Sequence, residues 1–95
     1  MIALNFGCNV FKLPNFINLD INPANNPDVV MDITKVGEHY DKNSVDLIHA
    51  GHFFEHISWD AGKQLMKDVR DILRPFAPVI ITIPDYKKTI LRWLS

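Results

Sequence analysis

The sequence predicts a single α/β domain, residues 1–95, built on a mostly parallel sheet of about five strands. Short apolar runs of strand length alternate with turn-rich connections in the first half, and one long amphipathic helix separates the last two runs. Two of the runs, Val45 to Ala50 and Pro78 to Ile83, are apolar on both faces, as strands covered on both sides are. A length of 95 residues fits one domain and leaves no room for a separate substrate domain.

Ile2 to Phe6 is the first strand, and Gly7 ends it. The connection that follows holds Pro14 and Asn15 and is too short for a crossover helix, which needs a dozen or more residues with its flanks. Phe16 to Ile21 is the second strand. Two prolines and three asparagines within Asn22 to Asp28 exclude regular structure there, so Val29 to Ile33 starts afresh as the third. Asp41-Lys42-Asn43-Ser44 is a turn that leads into Val45 to Ala50, the fourth. Ser58 caps a helix whose Leu65, Met66, Val69, Ile72 and Leu73 share a face, and Pro75 ends it. Pro78 to Ile83 is the fifth strand, closed by Pro84-Asp85. A short helix is expected from Lys87 to Leu94, with Ile90, Leu91 and Leu94 inward, and Trp59 and Trp93 are expected to pack on the sheet.

Hydrophobic residues make up 47% and charged residues 22%, an ordinary globular balance that excludes disorder and low complexity. Ten basic and eleven acidic residues give a net charge of -1, without the basic excess of a nucleic-acid or anionic-lipid binder. No apolar run approaches the ~20 residues of a membrane span, and Met1 is not followed by a signal-type segment. Cys8 is the only cysteine, so no intrachain disulfide forms. A cytoplasmic location is therefore expected.

Ligands of parallel α/β sheets bind at the carboxyl ends of the strands, where the winding direction reverses. Gly7 would let a ligand approach the backbone, and Asp20, ending the second strand, could accept two hydrogen bonds from a ribose. Gly7-Cys8-Asn9 holds one glycine and reads equally as a simple strand-end turn. His52-Phe53-Phe54-Glu55-His56 has the His-x-x-Glu-His spacing of some zinc peptidases, but a third ligand and a long helix to carry it are missing, so no metal is expected. His39 and His49 read as surface or strand-end residues.

Taken in order, six segments resemble class I S-adenosylmethionine-dependent methyltransferases, especially the small-molecule group called type 11. Leu4 to Asn9 is similar to the family's first motif, and Ile17 to Ile21 to its second strand with the ribose-binding acid. Pro27 to Ile33 is similar to the segment whose Asp contacts the adenine. Asn43 to Ala50 is similar to the fourth strand, His52 to Ile57 to the Glu-His motif after it, and Arg70 to Pro75 to the end of the following helix. The resemblance implies a Rossmann-like minimal methyltransferase core lacking the C-terminal strands. It implies S-adenosylmethionine or S-adenosylhomocysteine as cofactor, with backbone contacts from Gly7, Cys8, Asn9, Ala50 and Gly51. Asp20 and Ile21 would serve the ribose end, and Asp32 and Ile33 the adenine.

The family's Gly-x-Gly stands here as Gly7-Cys8-Asn9, and its Lys-Pro-Gly-Gly turn as Arg74-Pro75-Phe76-Ala77. The resemblance implies methyl transfer to a small molecule. The alternative is a non-catalytic, degenerate methyltransferase module that acts as a binding or assembly subunit. Glu55, His56 and Asp85 are acceptor-side candidates that serve equally as loop-end caps, and no catalytic residue is assigned. In the family the fifth strand is interior; here its outer edge would be open, so a homodimer or partner chain is expected at Val79 to Ile83 or at the Lys87–Leu94 helix.

Overall fold

The computed structural model describes residues 1–9, 11–51, 57–82 and 89–92, with Thr82 and residues 89–92 described by their backbone alone. The strands are β1 (Ala3–Phe6), β2 (Ile17–Asp20), β3 (Val29–Val30), β4 (Leu47–Gly51), β5 (Pro78–Thr82) and β6 (Thr89–Arg92). They form one sheet in the order β3-β2-β1-β4-β5-β6, in which β3 to β5 are mutually parallel and β6 runs antiparallel to β5. This is a Rossmann-like α/β sheet, and its winding reverses between β1 and β4.

The register divides the side chains into two faces. Leu4 pairs with Ile48, Phe6 with both Leu19 and Ala50, and Ile48 with Val79, which puts these apolar residues on one face. Helix α1 (Trp59–Ile72) covers that face with Leu65, Val69 and Ile72, joined by Ile33 and Val36 of the 3-10 helix Ile33–Glu38. All of these side chains are buried in one core. Burying each such side chain is worth about 1.5–3 kcal/mol, so this face carries the hydrophobic stabilisation.

Helix α1 starts where its sequence says it should. Ser58 Oγ accepts from the Ala61 N–H at 3.2 Å, and Asp60 lies in the first turn, where a carboxylate complements the helix dipole. The helix ends at Leu73, whose N–H still bonds the Val69 carbonyl, before Pro75. Gly62 lies inside it, and a Cβ there would meet Ile57 Cδ1 at 3.7 Å, an ordinary contact. Gly62→Ala should therefore raise stability by roughly 0.5–1 kcal/mol. A urea midpoint below that of the wild type would contradict this.

The opposite face is polar. Asn5 of β1 lies opposite both Asn18 of β2 and His49 of β4. Asn5 and Asn18 are 3% and 4% exposed, and their amides stand in for the crossover helix that the short β1–β2 connection cannot form. Asn5 Nδ2 donates to the Phe11 carbonyl at 3.3 Å. Asn18 Oδ1 accepts from the Leu13 N–H at 2.8 Å, and its Nδ2 donates to the carbonyls of Leu13 and Phe16, each at 3.2 Å. The connector is thus laid on the sheet by side-chain bonds to its backbone, which leaves those buried groups satisfied.

Two carboxylates tie the strand ends. Asp28 Oδ2 accepts from the N–H and the side-chain amide of Asn18, both at 2.8 Å. Asp46 accepts from the Ile2 N–H at 2.8 Å and from Arg74 Nε at 2.7 Å. These bonds hold both carboxyls below their ordinary value of 3.8, chiefly through the Asn18 N–H for Asp28 and the Ile2 N–H for Asp46. A folded-state value below the unfolded one contributes stability above the unfolded value and loses it as pH falls through the folded one. Stability should therefore hold down to about pH 5 and fall progressively below about pH 4. Denaturant titrations that gave equal stability at neutral pH and at about pH 3 would count against this.

Several expectations need correction. The third strand shortens to Val29–Val30, because Asp32 accepts from the Thr34 N–H and turns the chain into the 3-10 helix. The C-terminal helix expected over Lys87 to Leu94 is not formed in its described part: Thr89–Arg92 is strand β6, paired with β5 from Pro78 to Ile81. The outer edge of β5 is therefore not open, and among the described residues the outermost strands are β3 and β6. Trp59 is 79% exposed and does not pack on the sheet; Lys63 Nζ lies 5.9 Å from its ring centroid. Ile83, Lys87, Lys88, Trp93 and Leu94 lie outside the described residues, as do Glu55, His56 and Asp85 and the whole His52–His56 segment.

Phe76 follows Pro75 in the turn before β5 with φ 66°, at a position where the resemblance puts glycine. A left-handed backbone costs a residue with a Cβ roughly 1–2 kcal/mol. Its ring is 60% exposed, so little burial offsets the strain.

Candidate functional site

Four strands end side by side: β3 leads to Asp32, β2 ends at Asp20, β1 ends before Gly7, and β4 ends at Gly51. The reversal between β1 and β4 places Gly7 and Gly51 beside each other at the point where α/β sheets open to ligands. Gly7 has φ 60°, a conformation that a side chain would strain, so glycine is required for the chain to turn off β1 there. Asn9 also has a positive φ, 51°, which asparagine tolerates better than most residues.

Asp20 organises this end of the sheet. Its side chain is 8% exposed. Oδ2 accepts from the Asn9 N–H at 2.8 Å and from Asn25 Nδ2 at 3.3 Å, while Oδ1 accepts from the Asn22 N–H at 2.9 Å. The carboxylate thus joins the loop after β1 to the turn after β2. A carboxylate has about four acceptor positions, so Oδ1 keeps a second one. The long bond from Asn25 is the weakest of the three and the easiest to exchange.

Asp32 is exposed. Its Oδ1 accepts from the Thr34 N–H at 3.0 Å and the Thr34 hydroxyl at 2.7 Å. The hydroxyl bond and then the N–H bond hold the carboxyl below its ordinary range, so it is ionised at neutral pH. Oδ2 takes no hydrogen bond among the described residues. Ile21 is exposed beside Asp20 and offers an apolar surface.

Three of the expected contact residues turn their side chains inward. The Cys8 side chain is buried, its N–H donates to the Leu19 carbonyl at 3.0 Å and its carbonyl accepts from Phe11. Burial, and then the charge of Asp20, push the thiol up from 9.0, so it is protonated at neutral pH and is not a nucleophile. The side chains of Ile33 and Ala50 are in the core. Gly7, Asn9, Asp20, Ile21, Asp32 and Gly51 lie at or near the strand ends, and the contacts expected of Cys8 and Ala50 are backbone ones that do not depend on where their side chains point.

His49, set aside as a strand-end residue, belongs with these. Its Nδ1 is 3.0 Å from Asn5 Oδ1, and its ring meets Phe16 edge to face at 6.5 Å between centroids. A Cβ on Gly51 would stand 3.0 Å from His49 Cε1, so the imidazole occupies the space that the glycine leaves at the end of β4. Asparagine is disfavoured in strand interiors, and Asn5 and Asn18 at the centres of β1 and β2, with Asn5 opposite His49, were the signal in the sequence. Among the described residues, no three His, Cys, Asp or Glu side chains are grouped to hold a metal ion. No helix there is long and apolar enough to cross a membrane.

No protein-family model and no curated protein sequence matches the chain. Among solved structures it is similar to the crystal structure of a SAM dependent methyltransferase from Archaeoglobus fulgidus, with a TM-score of 0.75 and 17% identity. The similarity covers 83% of this chain and 42% of that one, so the chain spans less than half the length of that protein. The likeness is one of fold: both are Rossmann-like α/β sheets.

Proposed function

We propose that the chain binds S-adenosylmethionine or S-adenosylhomocysteine at the carboxyl ends of β3, β2, β1 and β4, and that it serves methyl transfer to a small molecule. The observation that carries this reading is the placement of Asp20 and Gly7 on neighbouring strand ends at the winding reversal. Asp20 suits a ribose diol: one hydroxyl would take the second position on Oδ1, and the other would replace the long bond from Asn25. Asp32 Oδ2 would accept from an amino group such as that of adenine, and the exposed Ile21 would offer the base an apolar surface. The bound sulfonium would supply an activated methyl group. The chain's own part is alignment and exclusion of water, with a base only where the acceptor must shed a proton.

Calorimetric titration of the chain with S-adenosylhomocysteine tests this, with adenosine diphosphate as a control. Saturable binding of the first and none of the second supports it, and no heat with either would refute it. Asp32→Asn should keep the fold and discriminate less well between adenine and hypoxanthine forms of the ligand. Equal discrimination by the two proteins would remove the adenine role from Asp32.

The alternative, a non-catalytic binding or assembly module, draws on the loop after β1. The Cys8 and Asn9 N–H groups are already spent on Leu19 and Asp20, where a Gly-x-Gly loop would turn amides outward. Binding of the cofactor without methyl transfer to any of a panel of small hydroxyl and amino compounds would favour it. For assembly with a second chain we propose the outer strands β6 or β3, in place of the paired β5. Light scattering of the full chain at high concentration decides between monomer and dimer.

A further inference from the structure

The Asp20 carboxylate is nearly filled by the protein itself. With about two acceptor positions on each oxygen, Oδ2 holds its full complement, the Asn9 N–H at 2.8 Å and Asn25 Nδ2 at 3.3 Å. Oδ1 holds only the Asn22 N–H at 2.9 Å. A ligand with one hydroxyl can add to Oδ1, but a vicinal diol that bridges both oxygens must displace a donor from Oδ2. The Asn9 N–H is the harder to move. It is a backbone group in a loop that the Cys8 N–H ties to the Leu19 carbonyl at 3.0 Å and the Phe11 N–H ties to the Cys8 carbonyl at 2.8 Å. Asn25 holds Asp20 by a half-buried side chain alone. Its backbone belongs to the 3-10 turn Pro23–Asn25, which other bonds close: the Ala24 N–H to Asn22 Oδ1 at 3.0 Å, the Asn25 N–H to the Asn22 carbonyl at 3.1 Å and the Asn26 N–H to the Pro23 carbonyl at 3.0 Å. The amide can therefore leave the carboxylate by side-chain rotation while the turn stays in place.

We propose that Asn25 is a self-ligand of the site: in the free protein its amide occupies the position on Asp20 that the second ribose hydroxyl takes, and the ligand binds by displacing it. This rests on the ribose reading of Asp20 and adds to it a means of regulation. While the site is empty, the amide helps to keep the buried carboxylate satisfied, as a charge held away from water requires. When a ribose enters, one hydrogen bond on Oδ2 is exchanged for another, so only the bond to Oδ1 is a net gain. S-adenosylmethionine and S-adenosylhomocysteine share the ribose, so the contact lowers the affinity for both equally and speeds release of the product. Asn25 acts on the ligand only through Asp20.

Calorimetry of the full chain and of Asn25→Ala, with S-adenosylhomocysteine and its two monodeoxyribose forms, tests this. Asn25→Ala should bind S-adenosylhomocysteine roughly two- to tenfold more tightly, the worth of one net hydrogen bond. The monodeoxy form that lacks the displacing hydroxyl should bind both proteins equally. Equal change with all three ligands, in either direction, is what loss of a mere stiffener of the turn would give. That result, or S-adenosylhomocysteine binding that is unchanged by Asn25→Ala, overturns the self-ligand and leaves the ribose assignment standing. No binding of S-adenosylhomocysteine by either protein overturns the methyltransferase reading and the self-ligand with it. In the wild type, the side-chain amide resonances of Asn25 should move when S-adenosylhomocysteine saturates the site. Resonances unmoved at saturation overturn the displacement even if Asn25→Ala does not fold.

Discussion

Asn18→Asp is expected to cost about 3 kcal/mol or more, although the two side chains have nearly the same size. The amide donor to the half-buried Leu13 and Phe16 carbonyls would become an acceptor facing them, and a carbonyl left without a donor costs about 1–3 kcal/mol. A new carboxylate would also face Asp28 across the present 2.8 Å bond. Against a typical total of about 5–15 kcal/mol, this brings the domain close to unfolding at neutral pH. A melting temperature within a degree or two of the wild type would mean that the connector does not depend on Asn18.

Asp20→Ala is expected to act on two quantities. S-adenosylhomocysteine affinity should fall by roughly 1.5–3 kcal/mol, the range for hydrogen bonds to a charged group. The Asn9 and Asn22 N–H groups would lose their acceptor, so the strand-end loops should also loosen. Calorimetry on folded variant, with hydrogen exchange at Asn9 and Asn22, separates the effects. Unchanged affinity with faster exchange would make Asp20 a structural tie and remove it from the ribose.

Strands β1, β2, β4 and β5 and helix α1 were legible because burial marks them, whereas β3, whose Val29 and Val30 are exposed, was expected too long. Leu65, Val69 and Ile72 repeat as one helix face, and Ile48, Ala50 and Val79 belong to strands whose two sides are both covered. The β6 strand was not legible. Ile90, Leu91 and Leu94 have helical spacing, yet four residues of strand are fixed by the β5 edge they pair with, which no local pattern records. The site was legible in part. The ends of strands pointed to Gly7, Asp20 and Gly51, whereas the burial of the Cys8, Ile33 and Ala50 side chains depends on how the core closes around them. His49 was missed because Asn5, which its Nδ1 meets, lies 44 residues away.

The amide-held connector also bears on how the domain responds to temperature. Exposing apolar surface on unfolding raises the heat capacity, whereas exposing polar surface lowers it. One face of this sheet rests on methyl and methylene groups, but Asn5 and Asn18 hold the other to Phe11, Leu13 and Phe16 through amides. The heat-capacity increment should therefore fall below the usual ~12–15 cal/mol/K per residue. The curve of stability against temperature is then a shallow one, losing less on cooling than that of a sheet sandwiched between two apolar layers.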